Sequence, residues 1–189
     1  YQDRLIKMFV RIGSKVPDEK RIPPPPEVAG PILEGMRFLE EDNPLWQMFE
    51  EILTRAIDIE EVMSIHPSFP KIISQLSRDE AVILYLLRES DFEVTDYLKL
   101  NREKERFESR RIEESNLPSC ELYMPDRVDL YYSHLESLNL VVWPVLSQDP
   151  VEDCDGKQLG IRRHSRMQLT EFGRLLVKAC VPEGGFKQS

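Results

Sequence analysis

The sequence predicts a mainly α protein: an N-terminal helical bundle followed by a winged-helix-like α+β domain with a small β-hairpin. Three observations carry that expectation. Apolar residues recur at helical spacing through three consecutive segments between Asn43 and Leu87. From Asp126 onward the signals run helix, strand, turn, strand, helix, the order of a winged helix. Pro23-Pro24-Pro25-Pro26 fixes φ and removes backbone donors ahead of the helices, which predicts a rigid strap. The expected division is a helical domain over 1–76 with the proline strap at 22–26, a winged-helix-like domain over 77–181, and a tail over 182–189.

The elements follow in order. Residues 1–14 form a basic amphipathic helix with Leu5, Met8, Phe9 and Ile12 on one face, ending near Gly13. After the proline strap, Glu27 to Leu39 resumes as a helix despite Gly30-Pro31. Asn43 then offers a side-chain acceptor to the first free amides of a helix, and Pro44 has no amide to leave unpaired. Leu45, Phe49, Ile52, Leu53, Ala56 and Ile57 make that helix's apolar stripe. His66-Pro67-Ser68-Phe69 interrupts it, because a residue before proline is pushed out of the α region. A short helix follows over 67–75. Ser77-Arg78-Asp79-Glu80 has the form of a capping box, which opens a third helix burying Ala81, Leu84 and Leu87.

Past this point the pattern changes. Phe92-Glu93-Val94-Thr95 alternates and reads as a short strand. Residues 101–114 (NREKERFESRRIEE) are charge-dense and read as a solvated helix or a mobile loop. Asp126 caps a helix with Val128, Tyr131, Leu135 and Leu138 on one face, and Asn139 stops it. Leu140 to Trp143 reads as a strand, 147–160 as a turn, and 160–169 as a returning strand. Thr170 then caps a last helix with Phe172, Leu175, Leu176 and Ala179 inward. Gly184-Gly185 falls in a tail expected to fray.

Composition narrows the function classes. With 41% hydrophobic and 31% charged residues in 189, the chain suits a folded globular protein. No apolar run approaches the ~20 residues of a membrane helix and no signal peptide is visible, so no membrane role and a cytoplasmic location are expected. Cys120, Cys154 and Cys180 are odd in number and widely spaced, which suits a reducing compartment rather than a disulfide framework. The chain begins with Tyr1 rather than methionine, as a fragment of a longer protein would.

Charge is uneven. Between Pro17 and Glu61 twelve acidic residues face four basic ones, a net of −8, while Lys157 to Lys178 holds six basic residues against Glu171, a net of +5. The total of −9 opposes general affinity for phosphate backbones. Within the basic stretch, Arg162, Arg163, His164 and Arg166 form a candidate binding face on the presumed wing over 161–168. Nucleic acid is disfavoured as its partner, because the preceding helix carries Asp126, Asp129 and Glu136 against Arg127. A protein partner is favoured.

His66 invites a general-base or metal-ligand reading, yet no Cys, Asp or Glu lies at ligand spacing around it. His66, Pro67, Phe69, Ser77 and Glu80 read instead as a structural motif at a helix junction. The acidic group Asp149, Glu152, Asp153 and Asp155 lacks the glycine and terminal glutamate of a calcium loop. No catalytic, cofactor-binding or metal-binding set is expected, and no enzyme.

Several motifs taken together resemble a known family. Ile32 to Gly35, Leu53-Thr54-Arg55-Ala56, His66-Pro67-Ser68-Phe69 and Gln75 to Ala81 are similar to the Abi-alpha group, bacterial proteins named for abortive infection, a form of phage defence. Leu135 to Val141 and Leu169-Thr170-Glu171-Phe172-Gly173 extend the resemblance, which spans roughly residues 22 to 181. It implies a phage-defence setting and brings no catalytic residues with it. The expected function is therefore a non-catalytic interaction module. The alternative is a winged-helix nucleic-acid-binding regulator, and a hydrolase built on His66 ranks third.

Overall fold

A computed structural model describes residues 1–187. In chain order the helices are α1 (Gln2–Lys15), α2 (Pro26–Met36), α3 (Pro44–Ala56), α4 (Phe69–Ile73), α5 (Arg78–Glu89), α6 (Val128–Ser137) and α7 (Glu171–Cys180). The strands are β1 (Phe92–Asn101), β2 (Arg106–Ser115), β3 (Val141–Val142), β4 (Val145–Glu152) and β5 (Gln158–Leu169). The chain divides into two compact units, one of Tyr1–Leu86 with Glu171–Ser189 and one of Leu87–Thr170. The division falls inside α5, not at 76/77, and α7 belongs with the N-terminal helices.

In the helical unit α3 is central, with α1, α2, α4 and α7 all packed against it. Encirclement explains why its burial exceeds a single stripe: Trp46 and Met48 are as inaccessible as Phe49, Ile52 and Leu53. Asn43 caps it as expected, its Oδ1 accepting from the Leu45 amide at 2.9 Å. The box at the start of α5 is closed in both directions, with Ser77 N donating to Glu80 Oε2 at 2.6 Å and Glu80 N to Ser77 Oγ at 3.3 Å. Phe9 of α1 departs from its expected inward position and is 45% exposed, while Met8 and Ile12 are buried.

The proline segment is anchored at its start. Ile22 N donates to Ile57 O at 2.9 Å and Ile59 N to Lys20 O at 3.0 Å, forming a bridge beside Arg21 and Asp58. The tail does not fray over its described residues: Gln47 donates to Lys187 O at 3.1 Å and accepts from Lys187 N at 2.8 Å. Phe186 stacks edge-on against Tyr85 at 5.9 Å. The last two positions of the 182–189 tail lie outside the described residues.

The second unit overturns the predicted fold class. At 47% helix and 24% strand, with five antiparallel strands in one sheet, the protein is α+β, not mainly α. Its order is β2-β1-β5-β3, with β4 also on β5. The winged-helix expectation fails with it, because the expected small hairpin is part of this larger sheet and the closing helix α7 packs elsewhere.

The largest local miss is 101–114, which is neither helix nor loop but the turn of a β1–β2 hairpin and most of β2. Asn101 Oδ1 accepts from Glu103 N and Lys104 N, both at 3.1 Å, and Glu105 takes φ 50° to finish the turn. Register shifts between Thr95 and Asp96 and between Leu98 and Lys99 insert extra residues in β2, and Ser109 sits at φ 53°. Such bulges break strict alternation, so a period-2 search misses the strand. β4 is hidden for another reason: nearly every residue is exposed, and Pro150 lies within it.

Candidate functional site

β5 carries the predicted binding face, and cross-strand partners meet every member of it. Arg162 Nε donates to Glu113 Oε2 at 2.7 Å, and Arg166 Nε to Glu93 Oε1 at 2.8 Å. His164 Nδ1 lies 3.1 Å from Thr95 Oγ1, its directly opposite residue. Arg163 binds Asp96 twice, through Nε at 2.9 Å and Nη2 at 2.8 Å. The four residues share a strand, but alternation splits them: Arg163 lies with the inward residues Ser165 and Met167, the other three on the opposite face.

The inward pairing leads to a cluster that the sequence reading missed. Asp96 is fully buried, and Arg110 of β2 reaches it from the other side with Nε at 2.5 Å. Arg110 also lies over the Trp143 ring at 3.9 Å from its centroid, and Tyr132 of α6 meets that ring edge-on at 5.0 Å. Burial alone pushes the Asp96 carboxyl up, but hydrogen bonds from Arg163 and Arg110 outweigh it and hold the group below its usual value. Burial pushes the Tyr132 phenol well up. One signal was available in Phe92-x-Val94-x-Asp96: an acid at an inward strand position requires a buried cation.

A cleft of ≈ 450 Å³ opens beside the cluster, with Arg110, Arg111, Ser115, Ser119, Asp126 and Asp129 among its lining residues. Two arginines and two aspartates balance there. Among the described residues no group of three or more His, Cys, Asp or Glu could hold a metal ion, and no helix is long and apolar enough to cross a membrane.

The other motif lies in the helical unit. His66 Nδ1 accepts from the Ser68 amide at 3.2 Å and lies 2.7 Å from Ser68 Oγ. Its ring centroid is 5.7 Å from those of Phe69 and Phe172, so the bend at Pro67 closes on an aromatic trio. Phe69 is buried, whereas His66 itself is exposed.

The family model described as abortive infection alpha matches residues 1–180. The chain belongs to the abortive infection alpha family. The match reaches further toward the N-terminus than the resemblance over 22–181, taking in α1 of this abortive infection alpha protein. No curated protein and no solved structure matches it significantly.

In this family member, His66→Ala is expected to lower stability by about 1 kcal/mol, the scale of a lost capping bond, and to leave phage protection by the folded protein intact. Thermal melts beside plaque counts check both halves. Lost protection at an unchanged melting temperature would return His66 to the catalytic candidates.

Proposed function

We propose that this abortive infection alpha protein acts in phage defence as a non-catalytic interaction module that docks a protein partner in the bacterial cytoplasm. The observation that carries this reading is the pairing of each β5 arginine with a carboxylate of the same sheet. A surface meant to lie along phosphates needs cations left over, because affinity there comes from releasing counterions. Here the arginines are matched, the cleft beside them holds equal numbers of Arg and Asp, and the whole chain carries −9. Mosaics of opposite charge give protein partners their register and selectivity. The exposed, unpaired thiols of Cys120 and Cys154 suit a reducing compartment.

A fluorescence titration with duplex DNA tests the reading against its nucleic-acid rival. No measurable binding is expected at physiological salt. The informative variant is Arg162→Gln with Arg166→Gln; Arg163 stays, since it supports the buried Asp96. Tight binding that the double variant weakens, with the salt slope falling by about one unit per lost phosphate contact, would overturn the proposal. Plaque counts on bacteria with and without the chain supply the biological arm, and protection is the expected result.

A further inference from the structure

β2 is an edge strand whose order of charges is complementary to itself. It ends the sheet, with β1 as its neighbour on one side only among the described residues. Most of its residues are exposed on both faces, including Phe107 at 42%. Exposed edges are ordinarily protected by like charges or by bulges that twist them away. This one has bulges, but their effect on residue order is unusual.

Register against β1 places Phe107, Arg110 and Ile112 opposite Leu100, Leu98 and Asp96, on one face. Glu108, Arg111 and Glu114 lie opposite Lys99, Tyr97 and Thr95, on the other. Phe107 and Ile112 are five positions apart, so a regular strand would put them on opposite faces. The extra residue Ser109 brings them to the same one. Turned antiparallel on a second copy about an axis between Ser109 and Arg110, the strand sets Phe107 against Ile112 and Glu108 against Arg111. Arg106 then falls beside Glu113 and Glu114. The faces agree in both inner pairs, and bulge meets bulge at the axis. The two Arg110 side chains do not oppose each other there, because each is folded onto Trp143 and Asp96 within its own copy.

We propose that two copies of this chain pair antiparallel through their β2 edges, joining their sheets into one. The inference stands apart from the partner-docking reading and does not depend on it. The arginines it uses sit in surface pairs: Arg111 meets Glu113 at 3.2 Å and Arg106 meets Glu108 at 2.6 Å, both arginines more than half exposed. Glu108 also accepts from Asn101 Nδ2 at 2.9 Å and Glu113 from Arg162 Nε at 2.7 Å, so those carboxylates keep intrachain partners if the arginines turn outward. Exchanging such surface pairs for intermolecular ones costs little. Each new pair occurs twice by symmetry.

Sedimentation velocity of the full chain across a concentration series tests this. The expected result is a shift from 22.2 kDa toward twice that mass as concentration rises. Glu108→Arg and Arg111→Glu should each weaken the dimer by about tenfold or more, since like charges then face each other twice. Combining both substitutions restores the pairing and should recover wild-type association. A chain that stays monomeric to about millimolar concentration, or a dimer indifferent to these reversals, overturns the proposal. Should a single reversal unfold the chain, hydrogen exchange of the wild type across the transition decides it. Protection appearing only in the dimer at those amides of 106–114 that point away from β1 supports the pairing; exchange there that is independent of concentration sinks it.

Discussion

Asp96→Ala is expected to destabilise the sheet unit by about 3 kcal/mol, the low end of the cost of removing one partner from a buried ion cluster. The carboxylate is fully buried between Arg110 and Arg163, and its loss leaves two cations facing each other without the charge they share. Those arginine side chains remain 27% and 25% exposed, so water relieves part of the penalty. That exposure is why the low end is expected. Urea titration measures it, and a loss under about 1 kcal/mol would show that solvent already carries the arginines. The same cluster fixes a pH response. Because the folded-state pKa of Asp96 lies below its unfolded value, its contribution is complete above the ordinary carboxylate range. It is lost as pH falls through the folded-state value. Wild-type stability should therefore decline with acid, and the Asp96→Ala variant should decline less over the same window.

What the sequence made legible depended on whether a signal was local. Asn43 with Pro44, and Ser77 with Glu80, settle their helix starts through side chains within three residues, and both bonds form as read. Asn139 was read as a stop, and its φ of 56° ends α6. β2 was illegible because a bulged strand with arginine on both faces and glutamate on one has the composition of a solvated helix. Its cations make sense only beside β1, whose Asp96 is fourteen positions from Arg110. The carboxylate partners of the candidate binding face were hidden for the same reason. Arg162, Arg163 and Arg166 looked unopposed because their carboxylates lie 49, 67 and 73 positions away. The place of α7 was hidden too, since an amphipathic helix does not say which apolar surface it covers.

Leu53→Ala, in the middle of α3, is expected to cost about 3 kcal/mol within the ~2–5 kcal/mol range for a buried leucine. The side chain is 1% exposed on a helix that α1, α2, α4 and α7 all touch. Its removal subtracts apolar burial and leaves a void, and the size of the cost depends on how far the neighbours collapse. Collapse is restrained here. Phe49, Ile52 and Ala56, flanking Leu53 on the same helix, are themselves inaccessible, and Asn43 holds the helix start in place. A neighbour therefore cannot fill the gap without disturbing its own packing, which argues against the low end of the range. Gln47→Ala, at a half-buried position whose side chain bonds backbone of Asp42 and Lys187, provides the contrast and should cost under about 1 kcal/mol. Comparable losses for the two variants in urea titrations would mean that α3 is not the centre of its unit.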